Sequence, residues 1–274
     1  MGIEFRSVSK SYPGGTRAVD DFSLVLPSRS TTVFVGSSGC GKTTLLRMVN
    51  RMVEPTSGTV LIDDEDVRGR GTVELRRSIG YVMQNGGLLP HVTVVDNIAT
   101  VPVLSGTPRR QARERARELM EIVGLDPVLA DRYPAQLSGG QQQRVGVARG
   151  LAADPNVLLM DEPFGAVDPI VRAELQRELL RLQQELGKTI VFVTHDIDEA
   201  FLLGDRVVIL DHGARIVQQG TPDEIIAEPA DDFVRAFVGL TSGRRELTLR
   251  ETEGRTVVVD ASGRVQGVLR EPGG

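Results

Sequence analysis

Four short runs, TTVFVG, IGYVMQ, NVLLMDE and TIVFVTHD, are apolar at consecutive positions and then give way to glycine or to side chains capable of chemistry. Each is too short for a helix, and consecutive apolar residues in a strand point to opposite faces, so both faces must be covered. That demand is met by a largely parallel sheet with helices packed on it. IEFRSV, FSLVLP and GTVLIDD differ: they partly alternate and are separated by turn residues, which predicts a smaller antiparallel companion sheet.

Between the second and third central runs the texture becomes helical. Ala112, Ala116, Leu119, Met120 and Val123 recur on one helical face, with Thr107 placed as N-cap ahead of Pro108 and Gly124 as the stop. Arg113, Arg115 and Arg117 fall away from that stripe and read as a solvated face. Residues from about 87 to 137 are therefore expected to form a helical insertion in the α/β core. After Gly239 comes the polar stretch TSGRRELTLRETEG, and then TVVVDASGRVQGVL, two apolar runs about a turn, reads as a hairpin. The expected division is a domain over residues 1–240 and a short tail over 241–274.

The 274 residues suffice for a large core, and a formal charge of −5 argues against a nucleic-acid binder that works through bulk positive charge. A single cysteine, Cys40, excludes an internal disulfide, and the start of the chain does not resemble a signal peptide, so a cytosolic location is expected. No stretch approaches the roughly 20 apolar residues that span a bilayer. Any membrane part must come from another chain.

The chemistry begins at GSSGCGKTT, which follows a strand and opens a helix. Gly36, Gly39 and Gly41 let the backbone wrap closely, so that amides of Gly36, Ser37, Ser38, Gly39, Cys40, Gly41, Lys42, Thr43 and Thr44 form a phosphate cradle at a helix N-terminus. Lys42 is placed to neutralise β and γ phosphates and the Thr43 hydroxyl to help hold Mg²⁺. Cys40 is expected to pack, not react. NVLLMDEP delivers Asp161 and Glu162 at a strand's C-terminal end, where ligands of such sheets bind. Asp161 suits a Mg²⁺ site, and Glu162 suits a general base for water; an acidic pair capping the next helix is the competing reading. His195 ends another strand and Gln84 a further one; the first either reaches the γ-phosphate or is structural, and the second either contacts Mg²⁺ or the attacking water or is an ordinary polar strand end. Tyr12, in a turn before the core, has a ring capable of stacking on adenine.

With QLSGGQQQR added, the pattern closely resembles the ATP-binding subunits of ABC transporters over residues 1 to about 240. The resemblance implies a P-loop NTPase core of ABC type with a mostly parallel sheet, an antiparallel β subdomain and an inserted helical subdomain. It implies Tyr12 as the adenine-stacking aromatic, Ser138 with Gly140 as γ-phosphate contacts and Gly139 between them as part of the nucleotide site, Asp168 as the residue communicating across a dimer, and His195 as the switch histidine. Val167 departs from the leucine that relatives carry before that aspartate. The implied assembly is a homodimer sharing two ATP molecules on the cytoplasmic face of the membrane. It works with integral membrane permease subunits and, indirectly, an extracytoplasmic solute-binding protein.

LRMVNRMVEPTSGTV, LLMDEPFGAVDP and VFVTHDIDEAFLLGDRVVIL resemble the branch that imports quaternary amines such as glycine betaine, carnitine and choline. Importers of amino acids or polyamines share much of this wording. A chromosome-type ATPase would need a long coiled coil between cradle and signature, where only residues 44–137 lie, and a translation-type ATPase would usually repeat every motif. A nucleotide-gated switch without turnover would not need Glu162. Leu88 and Leu89, after Gln84, either anchor a permease helix or pack within the insertion. Relatives often carry paired CBS domains, and the tail resembles one strand-turn-strand piece of them.

Overall fold

The computed structural model describes residues 2–84, 86–165, 169–241, 245, 247–252 and 255–269. The chain forms two compact units, residues 1–219 and 220–274.

In the first unit, the central sheet contains β3 (Thr31–Gly36), β6 (Ile79–Val82), β7 (Val157–Asp161), β8 (Thr189–Thr194), β9 (Arg206–Asp211) and β10 (Arg215–Gly220), in the order β10-β9-β3-β8-β7-β6. The pairs β9/β3, β3/β8, β8/β7 and β7/β6 are all parallel. Every residue of β3, β7 and β8 is buried, as runs apolar on both faces require. This order sets β3, β8, β7 and β6 side by side. The cradle, His195, the Asp161–Glu162 pair and Gln84 therefore follow neighbouring strands at the same edge.

The companion sheet is antiparallel where its register is defined, with β1 (Ile3–Ser11), β2 (Arg17–Leu26), β4 (Ser57–Ile62) and β5 (Glu65–Asp66) in the order β2-β1-β4-β5. Phe5 and Phe22 meet edge-to-face with ring centroids 5.2 Å apart, and both join the buried cluster beneath α1 (Lys42–Val49). Ile3, Phe5, Leu45, Leu46, Met48, Leu159 and Val193 belong to that cluster, so it fastens the helix after the cradle to both sheets.

After α2 (Thr72–Ser78) and β6, the chain runs through α3 (Val94–Leu104), α4 (Arg109–Ile122) and α5 (Gly139–Leu151) before β7. The expected apolar face of α4 is buried at Ala112, Ala116, Leu119, Met120 and Val123. Gly124, at φ 66°, ends the helix. The N-terminus differs from expectation: Pro108, not Thr107, holds the N-cap position and no side chain caps it. A proline with φ −53° and ψ 133° is already set to lead into a helix. α5 packs on α3 and α4 and also against β6, joining the helical layer to the sheet.

One buried side chain organises the segment after Gln84. Asn97 is fully buried; its Nδ2 donates to Leu89 O (3.1 Å), Val92 O (2.8 Å) and Thr93 O (3.1 Å), while its Oδ1 accepts from Leu89 N–H (2.8 Å). Leu89 O and Thr93 O also accept from the backbone N–H of Val92 and Asn97, so Asn97→Ala strands Leu89 N–H and Val92 O; its expected cost is about 2–4 kcal/mol of stability, since each unsatisfied buried group costs about 1–3 kcal/mol. Urea unfolding checks this: the midpoint should fall with an unchanged slope.

α6 (Pro169–Leu186) and α7 (Ile197–Leu203) flank β8 in the chain and complete the first unit. The second unit contains α8 (Pro222–Ala227), α9 (Asp232–Phe237) and an antiparallel sheet of β11 (Leu247–Thr252), β12 (Arg255–Asp260) and β13 (Val265–Val268). The expected hairpin is β12–β13, and β11 is an additional strand in a stretch expected to be merely polar. At the hairpin turn, hydrogen bonds from the Ser262 hydroxyl and then the Arg264 amide hold the Asp260 carboxyl down at about 2. No described helix is long and apolar enough to cross a membrane.

Candidate functional site

The cradle owes its shape to positions that cannot carry a side chain. A Cβ on Gly36 would lie 2.1 Å from Leu210 O, and one on Gly41, at φ 113°, would lie 2.4 Å from Ala18 O. Gly41 is also the N-cap of α1 and provides no side-chain acceptor, so the first-turn amides of α1 keep their donors for a ligand. The cleft here has a volume of about 210 Å³ and is lined by Ala18, Ser38, Gly39, Gly41, Lys42, Thr43, Thr44 and Glu162. Lys42 is buried and donates to Gly36 O and Ser37 O, each at 2.8 Å, bracing the loop in the shape an anion requires. Cys40 is fully buried and packs in the core, as expected; its carbonyl accepts from Ala214 N–H at 2.7 Å.

Asp161 ends β7 and is only 5% exposed. Its Oδ1 accepts from the Thr43 hydroxyl at 2.8 Å; its Oδ2 accepts from Tyr81 Oη at 3.1 Å and Arg47 Nη2 at 3.3 Å. Because the Thr43 hydroxyl spends its proton on Asp161, its lone pairs remain for a cation. This donor set fits Mg²⁺, a hard cation that favours oxygen ligands.

Glu162 has φ 45°, in the left-handed region that glutamate rarely adopts, while its N–H donates to Val193 O of β8 at 3.0 Å. Backbone strain of this kind costs about 1–3 kcal/mol and is retained where geometry matters to function. The turn directs the side chain to the cradle cleft, where Oε2 lies 3.0 Å from His195 Nδ1 and 3.4 Å from Gln84 Nε2. Residues from three strand ends thus meet on one carboxylate oxygen. In this structure both His195 and Gln84 address Glu162.

Ser138 caps α5: its hydroxyl accepts from Gln141 N–H at 3.3 Å, and Gln141 Oε1 accepts from Ser138 N–H at 2.9 Å. Gly139 and Gly140 form the first turn of that helix. Among the described residues, no hydrogen bond or ion pair joins this turn to the cradle of the same chain. Tyr12 is 39% exposed, with Lys10 Nζ 5.3 Å from its ring centroid. Asp168 lies outside the described residues.

Two residues at the site escaped sequence reasoning, Arg47 and Tyr81. Their hydrogen bond, from Arg47 Nε to Tyr81 Oη at 3.4 Å, raises the guanidinium pKa further, with Asp161 adding to the effect; burial raises the Tyr81 phenol. Arg47 lies four residues after Thr43 on α1, a spacing that puts both on one face and was the available signal.

Residues 19–165 match the ABC transporter family. The chain belongs to that family. It is 54% identical over 237 residues to the choline transport ATP-binding protein OpuBA of Bacillus subtilis, a match covering 86% of this chain and 62% of the relative. With the glycine betaine uptake system ATP-binding protein YehX of Escherichia coli it shares 53% identity over 249 residues, covering 90% of this chain and 80% of the relative. The chain therefore spans less than two thirds of the first relative and most of the second. A solved ATP-binding cassette, MJ0796, described as a dimer in a post-hydrolysis state bound to ADP and Pi, superposes with a TM-score of 0.74 at 33% identity. That match covers 80% of this chain and 98% of the cassette. The family match and the sheet order agree on a P-loop ABC fold with a glycine-rich cradle after β3.

Proposed function

We propose that this chain binds and hydrolyses ATP as the energy-supplying subunit of an importer for a quaternary-amine osmoprotectant such as glycine betaine, carnitine or choline. The observation that carries the enzymatic part is Glu162 Oε2, which borders the phosphate cleft and sits beside His195 and Gln84. In this reading the cradle amides and Lys42 hold the β and γ phosphates. Glu162 accepts a proton from the water that attacks the γ-phosphorus, and ADP leaves as the bond to its β-phosphate oxygen breaks. Thr43 and Asp161, with Gln84 beside them, would hold Mg²⁺, which neutralises charge on the phosphates. His195 and the Ser138–Gly140 turn are assigned to the γ-phosphate, Tyr12 to adenine and Asp168 to communication across a homodimer.

Closure of two copies over two ATP molecules gives each signature turn a phosphate to meet, and hydrolysis releases the pair. The solute class rests on the names of the relatives, five of which concern choline, carnitine or glycine betaine at 53–54% identity. The subunit is placed peripherally on the cytoplasmic face of the membrane, under a separate permease fed by an extracytoplasmic binding protein. Leu89, exposed, and Leu88, half-buried, are proposed as apolar anchors for a permease helix. The tail from residue 241 is assigned no nucleotide-sensing role.

Affinity capture of the tagged chain from detergent-solubilised membranes of its source cells is expected to recover an integral membrane protein. ATPase activity of the captured complex should rise with a binding protein loaded with glycine betaine, carnitine or choline. A complex that responds only to an amino acid or a polyamine would overturn the solute class.

A further inference from the structure

We infer that Tyr81 and Arg47 are positioning residues that orient the Asp161 carboxylate for a divalent cation beside the phosphate cradle. The inference rests on the ATPase reading above and assigns two side chains that reading does not use.

Strand register brings the first of them into place. Tyr81 of β6 pairs with Leu159 of β7, two residues before Asp161. Residues two apart on a strand share a face, so Tyr81, Leu159 and Asp161 point the same way. α1 packs against β7 and brings the second residue: Thr43 and Arg47, four apart, present their side chains along one face of the helix. Three donors thereby converge on one buried carboxylate.

The two carboxylate oxygens have separate partners. Oδ1 takes only the Thr43 hydroxyl among the described hydrogen bonds, whereas Oδ2 takes the Tyr81 phenol and the Arg47 guanidinium. Arg47 Nε also donates to Tyr81 Oη, occupying a phenol lone pair and leaving the phenol proton to point at Asp161. Oδ2 is thus clamped. With Oδ2 clamped, the plane of the carboxylate is set, and Oδ1 stays where the Thr43 proton finds it. The Thr43 lone pairs consequently hold the direction a cation needs. Partners behind metal ligands commonly act in this way, and their loss typically weakens metal binding about 10–100-fold.

The two donors have different electrostatic consequences. Arg47 compensates the buried carboxylate, but its charge also opposes a nearby cation; its side chain is 47% exposed, so solvent screens part of that repulsion. Tyr81 orients Asp161 without adding charge. Removing the phenol hydroxyl therefore tests orientation alone.

The test uses the full chain, Mn²⁺ as the probe and a non-hydrolysable ATP analogue. Free Mn²⁺ is read by electron paramagnetic resonance, and analogue binding is measured separately in EDTA. For Tyr81→Phe the expected result is about tenfold weaker Mn²⁺ binding, with metal-free analogue affinity within about twofold of wild type. Arg47→Lys retains the charge but loses the bridging fork, and a smaller loss in the same direction is expected. It also serves as the test if Tyr81→Phe fails to fold. Unchanged Mn²⁺ affinity in the folded variants, or an equal loss of metal-free analogue binding, would overturn the inference. If the wild-type chain bound neither analogue nor Mn²⁺, the ATPase reading itself would fail.

Discussion

Glu162→Gln is expected to reduce ATP turnover by about 10²–10⁴, the usual contribution of a general base, while leaving nucleotide binding intact. The substitution keeps the length and hydrogen-bonding reach of the side chain beside His195 and Gln84 but removes its ability to accept a proton. Cradle, Lys42 and Asp161 are untouched, so the ground-state complex should form normally. In the proposed cycle hydrolysis releases the closed pair, so the ATP-bound dimer should also persist longer. The checks are steady-state phosphate release, equilibrium binding of a fluorescent ATP analogue, and the dimer lifetime after free nucleotide is removed. Hydrolysis within a few-fold of wild type would refute the role given to Glu162.

The position of that carboxylate was legible because the catalytic candidates lie at strand ends, and those strands announce themselves. β3, β7 and β8 are buried on both faces, which leaves an apolar run followed at once by a functional residue: Gly36, Asp161 or His195. β9 carries the same kind of run from Val207 to Leu210. Its place beside β3 was not legible, since strand order is set by long crossovers and not by local pattern. The same limit hid Tyr81 and Arg47. Arg47 follows Thr43 by one helical turn, but its meeting with Asp161 and Tyr81 depends on the β6–β7 register and on how α1 packs. In β11, Leu247 and Leu249 alternate with polar residues over six positions, too brief a signal among so many charges. Thr107 was misplaced as a cap because its sequence context looks right, whereas Pro108 takes the position by its backbone geometry.

The Ser138 turn poses the largest question about assembly. It opens a 13-residue helix whose N-terminal amides suit an anion, yet no described hydrogen bond or ion pair ties it to the cradle of its own chain. A two-fold dimer answers this, because each turn can then close over the nucleotide in the partner's cradle. Lys42→Ala removes the buried ammonium that braces the cradle, and Ser138→Arg replaces the cap with a long cation where the turn must approach phosphate. With one change on each subunit, both fall in the same composite site and the other site stays whole. With both on one subunit and a wild-type partner, each site loses one half. The decisive measurement is the number of nucleotides occluded per purified mixed dimer in these two arrangements. The account predicts one nucleotide when the changes are on opposite subunits and none when they share a subunit; one nucleotide in both would show that each Ser138 turn serves its own chain, and would contradict it.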